Sequence, residues 1–341
     1  MEIDGAHGEG GGQLLRNSAA LAAVTHIPVR VTNIRARRPK PGLAAQHLTA
    51  LQAVAALADA TVEGLNVGSR EVTIAPGHLR GGRFSFDVGT AGSVTLVLQA
   101  CLPPALRAPE PVELRLIGGT DVPWSPPLDY FRFVFLPLLA RMGGKVTIEL
   151  VRRGYFPRGG GEIRVNVVPA PEFRPLLVEP PGAMRRVDGI AHVGNLPRDV
   201  AQRMKHAALR RFVGIAEAKV EETSEAAIGP GGAIVLWTEH ENTVLGSSGL
   251  ARKGVPAEAL GQAAADEMVE DLKAHSSLDV HAADQLLSYL VRTPEASAFR
   301  VREVTGHLRT MAWLMERFLD REVSIEGRGG LWRVEVQGAK R

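Results

Sequence analysis

The sequence predicts an α+β protein: a large domain of three βαβ-type repeats, interrupted by a small inserted α/β domain. Three observations predict it. A pattern of strand, helix and two β-rich runs recurs three times along the chain. The first two recurrences start 83 residues apart and the last two 187 apart, an excess of 104 that has the size of a small domain. A chain of 341 residues also carries a prior of about two domains.

The first recurrence has a strand at Val29 to Ile34 and a helix in which Leu51, Val54, Ala55 and Ala58 share one face. Its β-rich runs are Ala60 to Val67 and Glu71 to Ala75. The second has Val112 to Ile117, a helix with Phe131, Val134, Phe135 and Leu138 at the same spacing, and runs at Lys145 to Val151 and Gly161 to Val168. The third has Phe299 to Val304, a helix with Met311, Leu314, Met315 and Phe318, and runs at Glu322 to Glu326 and Leu331 to Val336. Between the last two, strands are expected at Arg186 to Val193 and Ala233 to Glu239, with helices at Arg198 to Phe212 and Ala257 to Ala274. The turn Pro180-Pro181-Gly182 and the loop near Ser276-Ser277 mark the edges, giving 1–180 and 278–341 to the large domain and 181–277 to the insert.

With 45% hydrophobic and 23% charged residues, the composition excludes a disordered chain. One cysteine, Cys101, excludes an intrachain disulfide and a zinc cluster of cysteines. The most apolar run, Ala91 to Ala105, contains Gln99, Pro103 and Pro104 and is too short for a bilayer; it reads as a buried helix ending at Leu102. No signal-peptide pattern opens the chain, so the expectation is a soluble, cytoplasmic protein. The formal charge is +3, so any anion site must come from local clustering.

Five segments could carry chemistry. Gly8-Glu9-Gly10-Gly11-Gly12-Gln13 frees backbone N–H groups for a phosphate while Glu9 could hold a divalent cation; a flexible hairpin is the alternative. Arg35, Arg37, Arg38 and Lys40, stiffened by Pro39 and Pro41, precede a helix with Gln46 and His47 and suit the phosphates of a polyanion. Gln99 sits in an apolar helix and needs a partner, either neighbouring backbone or a ligand. His281-Ala282-Ala283-Asp284-Gln285 falls where the insert returns to the large domain, a cleft position; Asp284 could equally be a first-turn charge meeting the helix dipole. Thr305-Gly306-His307 lies at a strand–helix junction. There the positive helix end favours neutral imidazole, either a capping histidine or a nucleophile.

Together these segments resemble the RNA 3′-terminal phosphate cyclases. The likeness rests on Asp4-Gly5-Ala6, Gly8 to Gln13 and Arg16, then Ile34-Arg35 through Arg38, Lys40-Pro41-Gly42 and Gln46-His47-Leu48. It continues through Gly92-Ser93, Gly118-Gly119-Thr120-Asp121, Pro126-Pro127, Gly154 to Gly161, Ala283-Asp284-Gln285, and His307 with Glu316-Arg317-Phe318-Leu319. It implies three repeats related to the enolpyruvyl transferases, with a thioredoxin-like insert. It also implies ATP-dependent conversion of an RNA 3′-phosphate to a 2′,3′-cyclic phosphate through a covalent histidine–AMP and an RNA adenylate.

Carried onto this chain, the resemblance makes His307 the nucleophile and Glu9 the ligand of Mg²⁺ or Mn²⁺. Gln99 and His281, Ala282, Ala283, Asp284 and Gln285 would contact ATP, with His281 and Pro126 or Pro127 beside adenine. Arg16, Arg35, Arg38, Gln46 and His47 would hold phosphates of ATP or of RNA 3′-ends. The sequence departs from the family where Gly246-Ser247-Ser248-Gly249 stands in the region that commonly offers an aromatic beside adenine, and where Met311 replaces a polar residue. A non-catalytic ribosome-assembly relative shares the fold but lacks the nucleophile. Enolpyruvyl transferases repeat the unit six times without an insert. A protein that binds RNA ends without turnover is the remaining alternative.

Overall fold

The structure is a computed structural model describing residues 1–170, 172–290, 293–319 and 321–338. Strand β1 (Glu2–Asp4) leads through α1 (Gly12–Thr25) to β2 (Val29–Thr32), then α2 (Ala45–Leu57), β3 (Thr61–Glu63) and β4 (Val72–Ala75). The second stretch runs β5 (Gly82–Asp87), α3 (Val94–Ala105), β6 (Val112–Gly118), α4 (Leu128–Tyr130), a π-helical turn (Phe131–Phe135), α5 (Leu136–Arg141), β7 (Lys145–Arg152) and β8 (Gly161–Val168). A short β9 (Leu177–Val178) precedes β10 (Met184–Gly194), α6 (Arg198–Phe212), β11 (Ala218–Glu225), β12 (Gly231–His240), β13 (Val244–Leu250) and α7 (Ala257–Ala274). The chain closes with α8 (Val280–Leu290), β14 (Ser297–Val301), α9 (Gly306–Leu319), β15 (Val323–Arg328) and β16 (Leu331–Val336).

The fold is mixed α+β, with four four-stranded sheets, and three of them share one plan. Their orders are β1-β2-β4-β3, β5-β6-β8-β7 and β9-β14-β16-β15. In each, the first pair is parallel and spans a helix, while the remaining pairs are antiparallel. In the last, the crossover from β9 to β14 also contains the whole fourth sheet, ordered β11-β10-β12-β13. One apolar core joins the three similar sheets to their helices, including Leu14, Val97, Phe131 and Met311. A second gathers Val187, Met204, Phe212, Ile234 and Met268 under α6 and α7.

Several local readings of the sequence need correction. The recurring pattern is longer than strand, helix and two strands, because β1–α1, β5–α3 and β9 with α8 precede it each time. The first strand stops at Thr32, since Asn33 and Arg35 take positive φ and turn the chain, and the third stops at Val301. The buried helix starts at Val94, capped by Ser93, and runs through both Pro103 and Pro104 to Ala105. Its last four residues are buried, and Leu106 N–H closes the turn on the Leu102 carbonyl at 2.9 Å. Packing thus overrides two residues that break exposed helices. The π-helical turn comes just before Pro137; widening the ladder there accommodates a ring that would clash with a carbonyl one turn back. The Gly8–Gly12 stretch is a turn into a helix rather than a hairpin.

The fourth sheet is tied to the rest by charge as well as packing. Arg153 is 3% exposed and reaches Asp129 Oδ2 at 2.7 Å, Asp121 Oδ2 at 3.3 Å and Glu225 Oε2 at 3.2 Å. Tyr155 Oη and His192 Nδ1 lie 2.9 Å apart beside them. Burial raises the Asp121 pKa, but His192 and Arg153 outweigh it and hold the carboxyl well below its ordinary range. Trp237 also stacks on Phe133 with centroids 4.4 Å apart. Removing one partner of a buried pair leaves an uncompensated charge, so Asp129→Ala should destabilise the protein by about 3–5 kcal/mol. Urea unfolding checks this, and a loss under about 1 kcal/mol, typical of exposed pairs, would contradict it.

Candidate active site

Two glycines in the left-handed region, Gly8 and Gly10, both at φ +57°, turn the chain between β1 and α1. Asp4 anchors the turn by accepting from Ala6 N (3.0 Å) and Asn33 Nδ2 (3.1 Å). The turn lies against the start of α9, where Thr305 Oγ1 caps Leu308 N at 3.1 Å. His307, in the first turn, meets Glu9 there, with Nδ1 to Oε2 at 3.1 Å. Gly306 leaves room for this contact, since a Cβ on it would overlap the Glu9 carboxylate. Thr310 Oγ1, bonded to the Gly306 carbonyl at 2.7 Å, fills the space beside Gly8.

Cations collect under the turn. Arg16 is 6% exposed, faces Gly12, and among the described residues makes no hydrogen bond or ion pair. Burial lowers it to about 10, opposed by Asp284, so it stays charged at neutral pH. His47 also faces Gly12, and burial, then Arg16 and Arg35, push its pKa down to about 3. Its Nδ1 accepts from Ala44 N at 3.3 Å, so the neutral ring presents Nε2–H toward the turn. Arg38 approaches Gly11, and neither it, Arg37 nor Lys40 makes a hydrogen bond or ion pair among the described residues. Arg35 instead holds its own loop, donating from Nη1 to the Gly42 carbonyl at 2.8 Å.

The His307 imidazole is pushed below its ordinary pKa by burial, and Glu9 opposes that while Arg16, Arg38 and His281 reinforce it. Asp284 goes the other way: burial raises it to about 7, against the pull of His281 and Gln13. His281 rises to about 9, because Glu267, 3.1 Å from Nε2, outweighs the effect of burial. These shifts couple Glu9, Arg16, Arg38, His47, His281, Asp284 and His307 as one electrostatic group.

The remaining expected residues form a second group beside it. Gln99 Nε2 donates to Gln285 Oε1 at 2.7 Å, which gives the glutamine of the apolar helix its partner. Gln46 Oε1 accepts from Ser93 N at 2.7 Å. Pro126 accepts at its carbonyl from Thr95 Oγ1 at 2.9 Å. Ala282 and Ala283 are buried in α8. His281 meets Tyr130 edge-on, 6.3 Å between centroids. The glycine-rich β13 packs onto the same tyrosine, for a Cβ on Gly246 would overlap Val134 and crowd Tyr130. Met311 is fully buried in the core.

Three contacts escaped the sequence reading. His7 stacks on Trp313 with centroids 3.7 Å apart, which pins the turn to α9, and the Arg317 guanidinium lies 5.6 Å from the Trp313 ring centroid. Trp313 lies off the apolar face of α9, and that misplacement was the available signal. Asp279 caps α8, taking N–H bonds from His281 (3.0 Å) and Ala282 (2.9 Å), Tyr130 Oη at 2.6 Å and Gly246 N at 3.0 Å. An aspartate just before a helix start was its signal.

A model of the RNA 3′-terminal phosphate cyclase family matches residues 7–325, which span the turn, the arginine loop and α9. The chain belongs to this family. It is 48% identical over 340 residues to an RNA 3′-terminal phosphate cyclase of Nitrosospira multiformis, covering 99% of this chain and 96% of that one. The namesake of Methanopyrus kandleri is 44% identical over 97% and 96% of the two chains, and that of Hyperthermus butylicus 49% over 90% and 88%. The chain is therefore an enzyme of the cyclase family.

Whether the site fits a divalent cation follows from its donors. Among the described residues no three His, Cys, Asp or Glu side chains converge as a cation cage. Glu9 offers one carboxylate, which suits Mg²⁺ or Mn²⁺ completed by substrate phosphates and water. Gly306→Ala should separate function from stability: the new Cβ displaces the flexible Glu9 side chain, while the first position of α9 accepts alanine without loss of helix stability. The melting temperature is expected to hold or rise. Cyclase turnover should fall at least about tenfold, equivalent to about 1.4 kcal/mol of transition-state stabilisation. Unchanged turnover would show that Glu9 is not needed where it lies.

Proposed function

We propose that this enzyme converts an RNA 3′-phosphate to a 2′,3′-cyclic phosphate at the expense of ATP, through a covalent adenylate on His307. The observation that carries the reading is the His307–Glu9 contact. With Nδ1 turned to Glu9 Oε2 at 3.1 Å, Nε2 is the nitrogen left to attack. A depressed pKa keeps that nitrogen unprotonated at neutral pH, as a nucleophile requires.

His307 Nε2 bonds to the α-phosphorus of ATP as the bond to the β-phosphate oxygen breaks and pyrophosphate leaves. An oxygen of the RNA 3′-phosphate then takes the α-phosphorus from His307, regenerating the imidazole. Finally the neighbouring 2′-oxygen, losing its proton, bonds to the 3′-phosphorus, and AMP departs. A cation bound at Glu9 would neutralise charge on the triphosphate. Arg16, already buried without a partner of its own, and the Nε2–H of His47 would hold phosphate oxygens without first giving up protein bonds. The Gln99–Gln285 pair, Asp284 and the Pro126 segment would border the nucleoside, with His281 on the side of Tyr130.

We read the three similar sheets as repeats of one large domain, 1–180 and 278–341, and 181–277 as a thioredoxin-like insert. A cytoplasmic setting accords with a sole cysteine, Cys101, kept as a buried thiol. The second reading, an RNA-binding relative without turnover, finds no support in a site that pairs a neutral histidine with a carboxylate.

Incubation with ATP labelled at the α-phosphorus should label the protein through an acid-labile phosphoramidate, and His307→Ala should abolish the label. Labelling of that variant at the wild-type level would remove His307 from the chemistry. A second expectation concerns Arg38. Arg38→Ala should weaken RNA binding and lower the slope of log affinity against log salt by about one, as loss of one phosphate contact does. A slope equal to that of the wild type excludes Arg38 from the RNA phosphates.

A further inference from the structure

Trp124 is 93% exposed, and among the described residues its ring has neither an aromatic nor a cationic partner. Its backbone takes φ +62°, a conformation that bulky side chains rarely adopt. The loop that imposes this is firmly tied. Leu128 N bonds to the Thr120 carbonyl at 3.1 Å, and Ser125 Oγ to the Val122 carbonyl at 2.8 Å. Pro123, Pro126 and Pro127 restrict what remains. Such strain persists only where the surroundings over-determine it, and it concentrates at ligand sites.

The loop is also well placed. Both its ends bond to the segment that starts α3. Gly119 N donates to the Gly92 carbonyl at 2.8 Å, Val94 N to the Gly119 carbonyl at 2.9 Å, and Thr95 Oγ1 to the Pro126 carbonyl at 2.9 Å. Gln46 fastens to the same segment at Ser93 N, 2.7 Å away, and Gln46 lies just beyond the arginine loop. Through these bonds one segment holds both the helix that follows Arg37, Arg38 and Lys40, whose side chains are exposed and without hydrogen bonds or ion pairs among the described residues, and the loop that carries the bare indole. Unpaired cations that track phosphates, with an aromatic face for a base, are the two parts of a single-stranded nucleic-acid site.

We propose that Trp124 is a stacking platform for an unpaired base of the RNA strand whose 3′-end enters the active site. The inference rests on the RNA-cyclase reading and adds to it a preference for single-stranded ends. An indole stacks on any base, so the platform sets strandedness rather than sequence. A base held in a duplex keeps both faces covered by its neighbours and is denied to it.

The test measures binding of a short single-stranded RNA with a 3′-hydroxyl, and of the same strand annealed to its complement, by wild type, Trp124→Ala and Trp124→Phe. The side chain is exposed, so neither substitution threatens the fold. Trp124→Ala should weaken single-strand binding about tenfold, within the range for losing one base stack, with Trp124→Phe between it and the wild type. Duplex binding should change less than about twofold, since phosphate contacts carry it. Equal single-strand affinity in wild type and Trp124→Ala overturns the proposal, and so does an equal loss for single strand and duplex. ATP-dependent labelling of the protein is measured alongside. A tenfold higher KM for ATP in Trp124→Ala, with RNA affinity unchanged, reassigns the indole to the nucleotide. A wild type that neither labels with ATP nor binds RNA ends defeats the cyclase reading itself, whereas wild-type labelling with an indifferent Trp124 defeats the platform alone.

Discussion

Everything around the candidate site depends on how closely bare backbone from Gly8 to Gly12 approaches its neighbours. A side chain at Gly8 would overlap Thr310, and one at Gly12 would overlap His47 and Arg16. With the glycines in place, one cation, Arg16, and a neutral histidine, His47, are covered by backbone instead of by apolar side chains. That is an expensive arrangement, because a buried guanidinium without an acceptor forfeits hydration. The cost is balanced by packing elsewhere, in a core that joins the helices of three sheets. On the proposed reading, substrate phosphates would supply the acceptors that Arg16 lacks among the described residues, and the energy withheld in the free protein would become binding selectivity for anions.

The sequence disclosed the interior far better than the margins. Helices Arg198–Phe212 and Ala257–Ala274 and strands Gly161–Val168 and Leu331–Val336 have the bounds their periodicity suggests. The strands that escaped it, β5, β9, β11 and β13, all lie at sheet edges. Edge strands carry charge or small residues that discourage further pairing, and this erases the alternation by which strands are recognised. Gly82–Asp87 is half polar and Ala218–Glu225 three-quarters polar, Val244–Leu250 is rich in glycine and serine, and Leu177–Val178 has two residues.

For the site, residue types that are rare in a core were readable: Glu9, Arg16, Gln99, Asp284 and His307 announced themselves by chemistry or by resemblance. Those that position them were not. His7, Trp313, Tyr130 and Asp279 are ordinary in isolation, and their importance lies in pairings between segments far apart in the chain, 149 residues for Tyr130 and Asp279. No local pattern encodes that a histidine near the start will stack on a tryptophan near the end. The buried cluster of Arg153, Asp121, Asp129 and His192 is invisible for the same reason, since its members come from the loop after β6, from α4, from the residue that follows β7 and from β10.

The two-residue strand β9 has a consequence for the order in which the protein is made. Its partner β14 leaves the ribosome only after the entire β10–α7 segment, whereas the first two sheets close on neighbours already synthesised. Pairings so distant along the chain are slow to form, and domains made earlier fold first. Glu9 therefore waits, on an early-folding unit, for His307, which follows the whole β10–α7 segment along the chain. On the proposed chemistry, a chain stalled before α9 would hold the Gly8–Gly12 turn without His307 and could not form the adenylate.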